Sequence, residues 1–93
     1  MIKKIVKYST SWCGPCRAFH PTFHKVEKDE KYKDIVFEDV DIDTDENADA
    51  FIDKYRILTV PTTILLDEND ELITKFSGNI SESKFKEIID ERM

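Results

Sequence analysis

Apolar positions along the chain recur in two periods, and the switches between them mark out the elements. Residues 2–9 mix β-forming Ile2, Ile5, Val6 and Tyr8 with lysines and predict a strand. The turn-rich segment Ser11-Trp12-Cys13-Gly14-Pro15-Cys16 leads into a helix whose apolar stripe, Phe19, Phe23 and Val26, falls at i, i+4 and i+7. Pro21 lies within that stretch and, having no N–H to donate, is expected to kink the helix. Over residues 35–42, Val36, Glu38, Val40 and Ile42 alternate with Phe37, Asp39 and Asp41, the period of a second strand. Thr44, Asp45 and Glu46 then offer an N-cap and negative charge for a helix start, and Ala48, Phe51, Ile52 and Tyr55 form that helix's buried face. Thr62–Leu66 is short and almost unbrokenly apolar, which predicts a central strand. Glu68-Asn69-Asp70-Glu71 reads as a turn, Leu72–Ser77 as the returning strand of a hairpin, and Ser81 as the cap of a last helix carrying Phe85, Ile88 and Ile89.

The predicted order is β-α-β-α-β-β-α. A βαβ unit makes the first two strands parallel with a right-handed crossover, and the hairpin makes the second half antiparallel. The expected architecture is α/β, a four-stranded mixed sheet with helices on both faces. No repeat, low-complexity tract or linker interrupts the pattern, so residues 1–93 are expected to form a single domain.

Composition narrows the class. Of 93 residues, 40% are hydrophobic and 37% charged, the mixture of a soluble globular protein and not of a disordered chain. The net charge of −6 repels phosphate backbones and argues against a nucleic-acid partner. The longest apolar run, Ile64-Leu65-Leu66, is far too short for a membrane span. Residues 1–7 carry lysines but no following apolar stretch and no small-residue cleavage site, so no signal peptide is read and the expected address is cytoplasmic. A monomer is expected.

The two cysteines change the picture most. A structural disulfide framework usually closes long loops in secreted chains. Two cysteines three positions apart in a reducing compartment suggest chemistry instead. A C-x-x-C at a helix start puts the first thiol among unpaired N–H groups at the positive end of the helix dipole, where a thiolate is favoured. The second lies one turn inside, shielded and within reach. Attack by the first thiolate on a disulfide gives a mixed disulfide, which the inner thiol resolves. Gly14 and Pro15 shape the turn, and Trp12 offers an apolar lip for a peptide substrate. The competing reading is a zinc half-site through Cys13, Cys16 and the downstream His20 or His24. It lacks a fourth protein ligand, so no metal is expected.

Together, Trp12-Cys13-Gly14-Pro15-Cys16, Pro21, Thr59-Val60-Pro61-Thr62 and Gly78 resemble, in order, the landmarks of the thioredoxin family, and the resemblance covers nearly the whole chain. It implies the thioredoxin fold, Cys13 as nucleophile and Cys16 as resolving thiol. It also implies a cis Val60-Pro61 peptide facing the disulfide, with the Val60 backbone pairing to an extended substrate segment. Trp12, Gly14, Pro15, Ile42, Val60, Pro61 and Gly78 would border the substrate. The implied activity is reduction of protein disulfides without a bound cofactor, recharged by a flavin- and NADPH-dependent thioredoxin reductase.

Three departures stand out. The sequence opens at the strand before the active site, without the strand and helix with which the family usually begins, and is about glutaredoxin size. Ser9 stands where an aromatic residue is usual. Lys7 stands where the family usually has a buried aspartate, and Asp39, expected opposite it in a parallel neighbour strand, falls where a lysine is usual. Lys7 and Asp39 are therefore expected to form a charge-swapped pair if Lys7 is inside, where Lys7 modulates thiol ionisation, favouring thiolates as an ammonium or, stripped of its charge, accepting the proton of Cys16; a Lys7 that snorkels to water would be an ordinary surface residue. The alternative function is a glutathione-linked, glutaredoxin-like enzyme. Short length and Thr59-Val60-Pro61 favour it; Gly14-Pro15 between the cysteines, and Gly78-Asn79 in place of a Gly-Gly pair, oppose it.

Overall fold

A computed structural model describes residues 1–93. Four strands and three helices follow the predicted order: β1 (Lys4–Ser9), α1 (Gly14–Glu27), β2 (Val36–Asp41), α2 (Ala48–Tyr55), β3 (Thr62–Leu66), β4 (Leu72–Ser77) and α3 (Glu82–Asp90), with a 3-10 turn at Glu30–Tyr32. The sheet order is β2-β1-β3-β4. β1 runs parallel to β2, and β3 is antiparallel to both β1 and β4. All of β3 is buried, its two threonines included, as expected of a central strand in a covered sheet.

The period of two along the central strands sorts their side chains between two cores. Ile5 and Leu65 face α1 and α3, where they join Phe19, Phe23, Val26, Phe85 and Ile89. Val6, Tyr8, Ile64 and Leu66 face the other way, onto Tyr55, Ile57 and the half-buried Phe51 and Ile52 of α2 and its exit. Phe85 anchors the first core, its ring 5.6 Å from Phe19, 5.5 Å from Phe76 and 6.0 Å from Phe23. Separations of this kind add about 1 kcal/mol per pair beyond the area buried. Lys7 shares the face of Ile5, beneath α1. The sheet register flanks it with Asp39 on β2 and Thr63 on β3.

α1 runs from Gly14 to Glu27 with Pro21 inside it, on the exposed side of the helix. α2 starts later than its cap-like residues suggested, with Asn47 at the N-cap position and no side-chain cap bond. The chemistry of Asp45 is used one turn earlier: its carboxylate accepts the Asn47 N–H at 2.8 Å, and its backbone carbonyl accepts that of Ala48 at 3.2 Å. No helix is long and apolar enough to cross a membrane.

Candidate active site

The entrance to α1 is built around sulfur. Cys13 has extended backbone (φ −88, ψ 116) and serves as the N-cap; its Sγ accepts the Cys16 N–H at 3.2 Å. Cys13 and Cys16 are joined as a disulfide, their Cα atoms 5.2 Å apart. The helix N-terminus thus presents the Cys16 amide to the Cys13 sulfur, which favours negative charge on Cys13 once the bond is reduced.

Across from the disulfide, the Val60-Pro61 peptide is cis. Cys13 Sγ lies 3.6 Å from the Val60 carbonyl oxygen. The loop is pinned on both sides. Thr62 Oγ1 donates to the Thr59 carbonyl at 2.6 Å, and the Pro61 carbonyl accepts the Gly78 N–H at 2.9 Å. Gly78 has φ +88, a conformation a side chain disfavours, which is why a glycine serves there. Val60 itself makes no backbone–backbone hydrogen bond, and its carbonyl oxygen faces Cys13 Sγ.

Around the disulfide, Trp12 is 69% exposed and donates from Nε1 to Asp43 Oδ2 at 2.9 Å. Gly14 and Pro15 are exposed, and a Cβ added at Gly14 would meet nothing. Ile42 and Val60 come together with Ile52, Ile57 and Leu58 in a shallow apolar groove of about 150 Å³. Leu58, 90% exposed, was not singled out in the sequence; its signal was an apolar residue placed just past the end of a helix, before the proline loop.

On the other flank a polar cleft of about 390 Å³ opens beside Cys16, with Lys7, Thr10, Arg17, His20 and Asp39 among its walls. Lys7 lies inside, only 1% exposed. Its Nζ is 3.3 Å from Asp39 Oδ2, 3.0 Å from His20 Nδ1 and 5.1 Å from the centre of the Phe23 ring. The sequence suggested Asp39 as a partner but not His20, although His20 stands one helical turn beyond Cys16. Burial of its inward edge, the Lys7 ammonium and His24 together outweigh Asp39 and hold the His20 imidazole below its ordinary pKa. The neutral ring that this favours can accept from Lys7 through Nδ1.

The family model for thioredoxin matches residues 2–91. The chain belongs to the thioredoxin family. It is 34% identical over 89 residues to a thioredoxin of Ophiophagus hannah, covering 96% of this chain and 78% of that one. Identity to a thioredoxin of Mycoplasmoides gallisepticum is 32% over 87 residues, covering 94% of this chain and 81% of that one. The fold resembles the X-ray structure of Fasciola hepatica thioredoxin with a TM-score of 0.79 at 29% identity, covering 97% of this chain and 80% of that one. Membership and geometry agree on a thiol–disulfide oxidoreductase with a redox-active Cys13–Cys16 pair, which acts on disulfide substrates and is recharged by a reductase. Nothing in the site or in these relatives favours the glutaredoxin-like alternative.

Proposed function

We propose that the chain reduces disulfides of protein substrates with Cys13 as nucleophile and Cys16 as resolving thiol, and that a flavin- and NADPH-dependent thioredoxin reductase restores the dithiol. It would do so as a monomeric single domain in the cytoplasm. The observation that carries the assignment is the Cys16 N–H directed at Cys13 Sγ from the start of α1. A thiolate at Cys13 is held by that amide and by the helix end, whereas Cys16 has no such donor.

In the first step Cys13 thiolate attacks one sulfur of the substrate disulfide. The substrate S–S bond breaks, and its other sulfur leaves as a thiolate that takes a proton from water. Cys16 then gives up its proton and attacks Cys13 Sγ in the mixed disulfide, releasing the second substrate thiol and closing Cys13–Cys16. The Val60 backbone, free of backbone–backbone hydrogen bonds, supports pairing with an extended substrate segment beside the disulfide. Trp12 and Ile42 supply apolar surface along it, while Pro61, expected to border the substrate, is itself buried and contributes none; Gly14, Pro15 and Gly78 leave room for the substrate backbone. Lys7, held by Asp39, modulates the second step: an ammonium in the cleft that Cys16 lines favours the Cys16 thiolate by its charge.

Insulin reduction coupled to thioredoxin reductase and NADPH, run beside a glutathione-coupled assay, tests this reading. Turnover is expected in the first assay and not in the second; the opposite result sinks it. Cys13→Ser should abolish turnover, and Cys16→Ser should accumulate mixed disulfides. Faster alkylation of Cys16 than of Cys13 in the reduced protein would reverse the two roles.

A further inference from the structure

His20 and His24 stand one turn apart on α1 with ring centroids 4.2 Å from each other, and Asp39 faces them from β2. One donor atom of each lies within 4.8 Å of the other two. Two observations set this cluster apart from three unrelated surface groups. A cation is already held there, since the Lys7 ammonium sits 3.0 Å from His20 Nδ1 and 3.3 Å from Asp39 Oδ2. In addition, His24 Nδ1 lies 2.8 Å from Glu27 Oε1. A carboxylate on one ring nitrogen fixes the tautomer that leaves the other nitrogen's lone pair free, the support commonly found behind metal-bound histidines.

We propose that His20, His24 and Asp39 form a site for a divalent ion of the zinc class, entered from the solvent side of the cleft and in competition with the Lys7 ammonium. Two imidazoles and one carboxylate select Zn2+, Cu2+ or Ni2+ over Ca2+ and Mg2+, which prefer all-oxygen shells. Three protein ligands leave one vertex for water. Zinc bonds of about 2.0–2.2 Å in a tetrahedron bring donors to about 3.4 Å from one another, so the widest pair closes by up to about 1.4 Å on binding. The histidines are free to turn, His20 being 52% and His24 40% exposed, whereas the buried Lys7 must give up both acceptors. Lys7 sets the affinity, because its positive charge occupies two of the same acceptors. Binding ties α1 to β2 beside Cys16 and raises the stability of the folded chain by mass action.

The test is calorimetric titration of Zn2+ into the disulfide form, in which neither cysteine can ligate, with Cu2+ electron paramagnetic resonance as a second readout. One ion per chain is expected, with nitrogen couplings from two imidazoles. His20→Ala and His24→Ala should each weaken binding at least about tenfold, and Glu27→Gln about tenfold. Lys7→Met should tighten it. Both histidines are substantially exposed on a helix that alanine favours, so their variants should fold, which circular dichroism checks. Absence of saturable one-to-one binding to the disulfide form overturns the site, as does equal binding by the His20→Ala/His24→Ala double variant. A Lys7→Met protein that binds no more tightly overturns the shared position.

Discussion

Lys7 and Asp39 are unequal partners. The lysine is 1% exposed, whereas about a third of the Asp39 side chain, 32%, meets solvent. Removing the carboxylate leaves a buried ammonium with only His20 to receive it; removing the lysine leaves a carboxylate that water can satisfy. Asp39→Ala should therefore cost on the order of 2 kcal/mol in urea unfolding, and Lys7→Met less than about 1 kcal/mol. Thiolate absorbance against pH supplies a readout that a purely structural role would not move. Loss of the nearby cation in Lys7→Met should shift thiolate formation to higher pH, and Asp39→Ala should move the curve again. Three superimposable curves with equal stabilities would make Lys7 an ordinary residue. The pairing was legible only through the resemblance to the thioredoxin family, which set Lys7 and Asp39 at the positions of a buried acid–lysine pair, and the parallel register places them opposite one another. Depth was not legible. What covers Lys7 is Phe23 and His20, and their place over the sheet is set by how α1 docks.

The three helices begin in three different ways, and only two of the starts were readable. Cys13 caps α1 through sulfur, and Ser81 caps α3, its Oγ accepting the Lys84 N–H at 3.1 Å. Asn47 caps α2 without any side-chain bond. Thr44, Asp45 and Glu46 looked like a cap because a short acceptor side chain suits a tight turn as well as a helix start. In the folded chain Asp45 closes the turn, and the helix begins beyond it. The capping bond at Ser81 satisfies an amide that α3 cannot, so Ser81→Ala should destabilise the protein by about 1 kcal/mol. Asn47→Ala should change stability by no more than about 0.5 kcal/mol, because no cap bond is lost. Urea midpoints of the two variants measure the contrast, and equal losses would contradict it.

At the scale of the whole molecule, the two hydrophobic periods carried the order of elements along the chain and the layering, because each central strand had to bury both faces; the sheet order β2-β1-β3-β4 was not in them. The polar cleft escaped them, since its walls come from β1, α1 and β2 and meet only when α1 packs across the sheet. A comparable long-range junction joins the turn after α1 to the end of α3. The Tyr32 hydroxyl donates to Asp90 Oδ1 at 2.8 Å, and Lys31 Nζ donates to Asp90 Oδ2 at 2.9 Å. Burial, then the hydrogen bond to Asp90 and its charge, push the Tyr32 phenol from 10.0 up to about 12. Between those two values the unfolded chain has released a proton that the folded chain still holds, so stability falls as pH rises through that window. Burial of Asp90 is outweighed by its bonds to Lys31 and Tyr32, and its carboxyl lies below the ordinary range. Its contribution is therefore present above the usual carboxylate pKa and lost as acid protonates it. Tyr8, raised by burial and by the charges of Tyr55, Glu38 and Asp45, works in the same alkaline direction as Tyr32. Urea unfolding at about pH 8 and about pH 11 should thus show a loss of stability on going alkaline, to which Tyr32 contributes on the order of 1–2 kcal/mol. Tyr32→Phe should be less stable than wild type at about pH 8, because it loses the bond to Asp90, yet should lose less on the way to about pH 11. An alkaline decline of the same size in Tyr32→Phe would mean that Tyr32 ionises as readily in the folded chain as in the unfolded one, and would remove this junction from the account of alkaline stability.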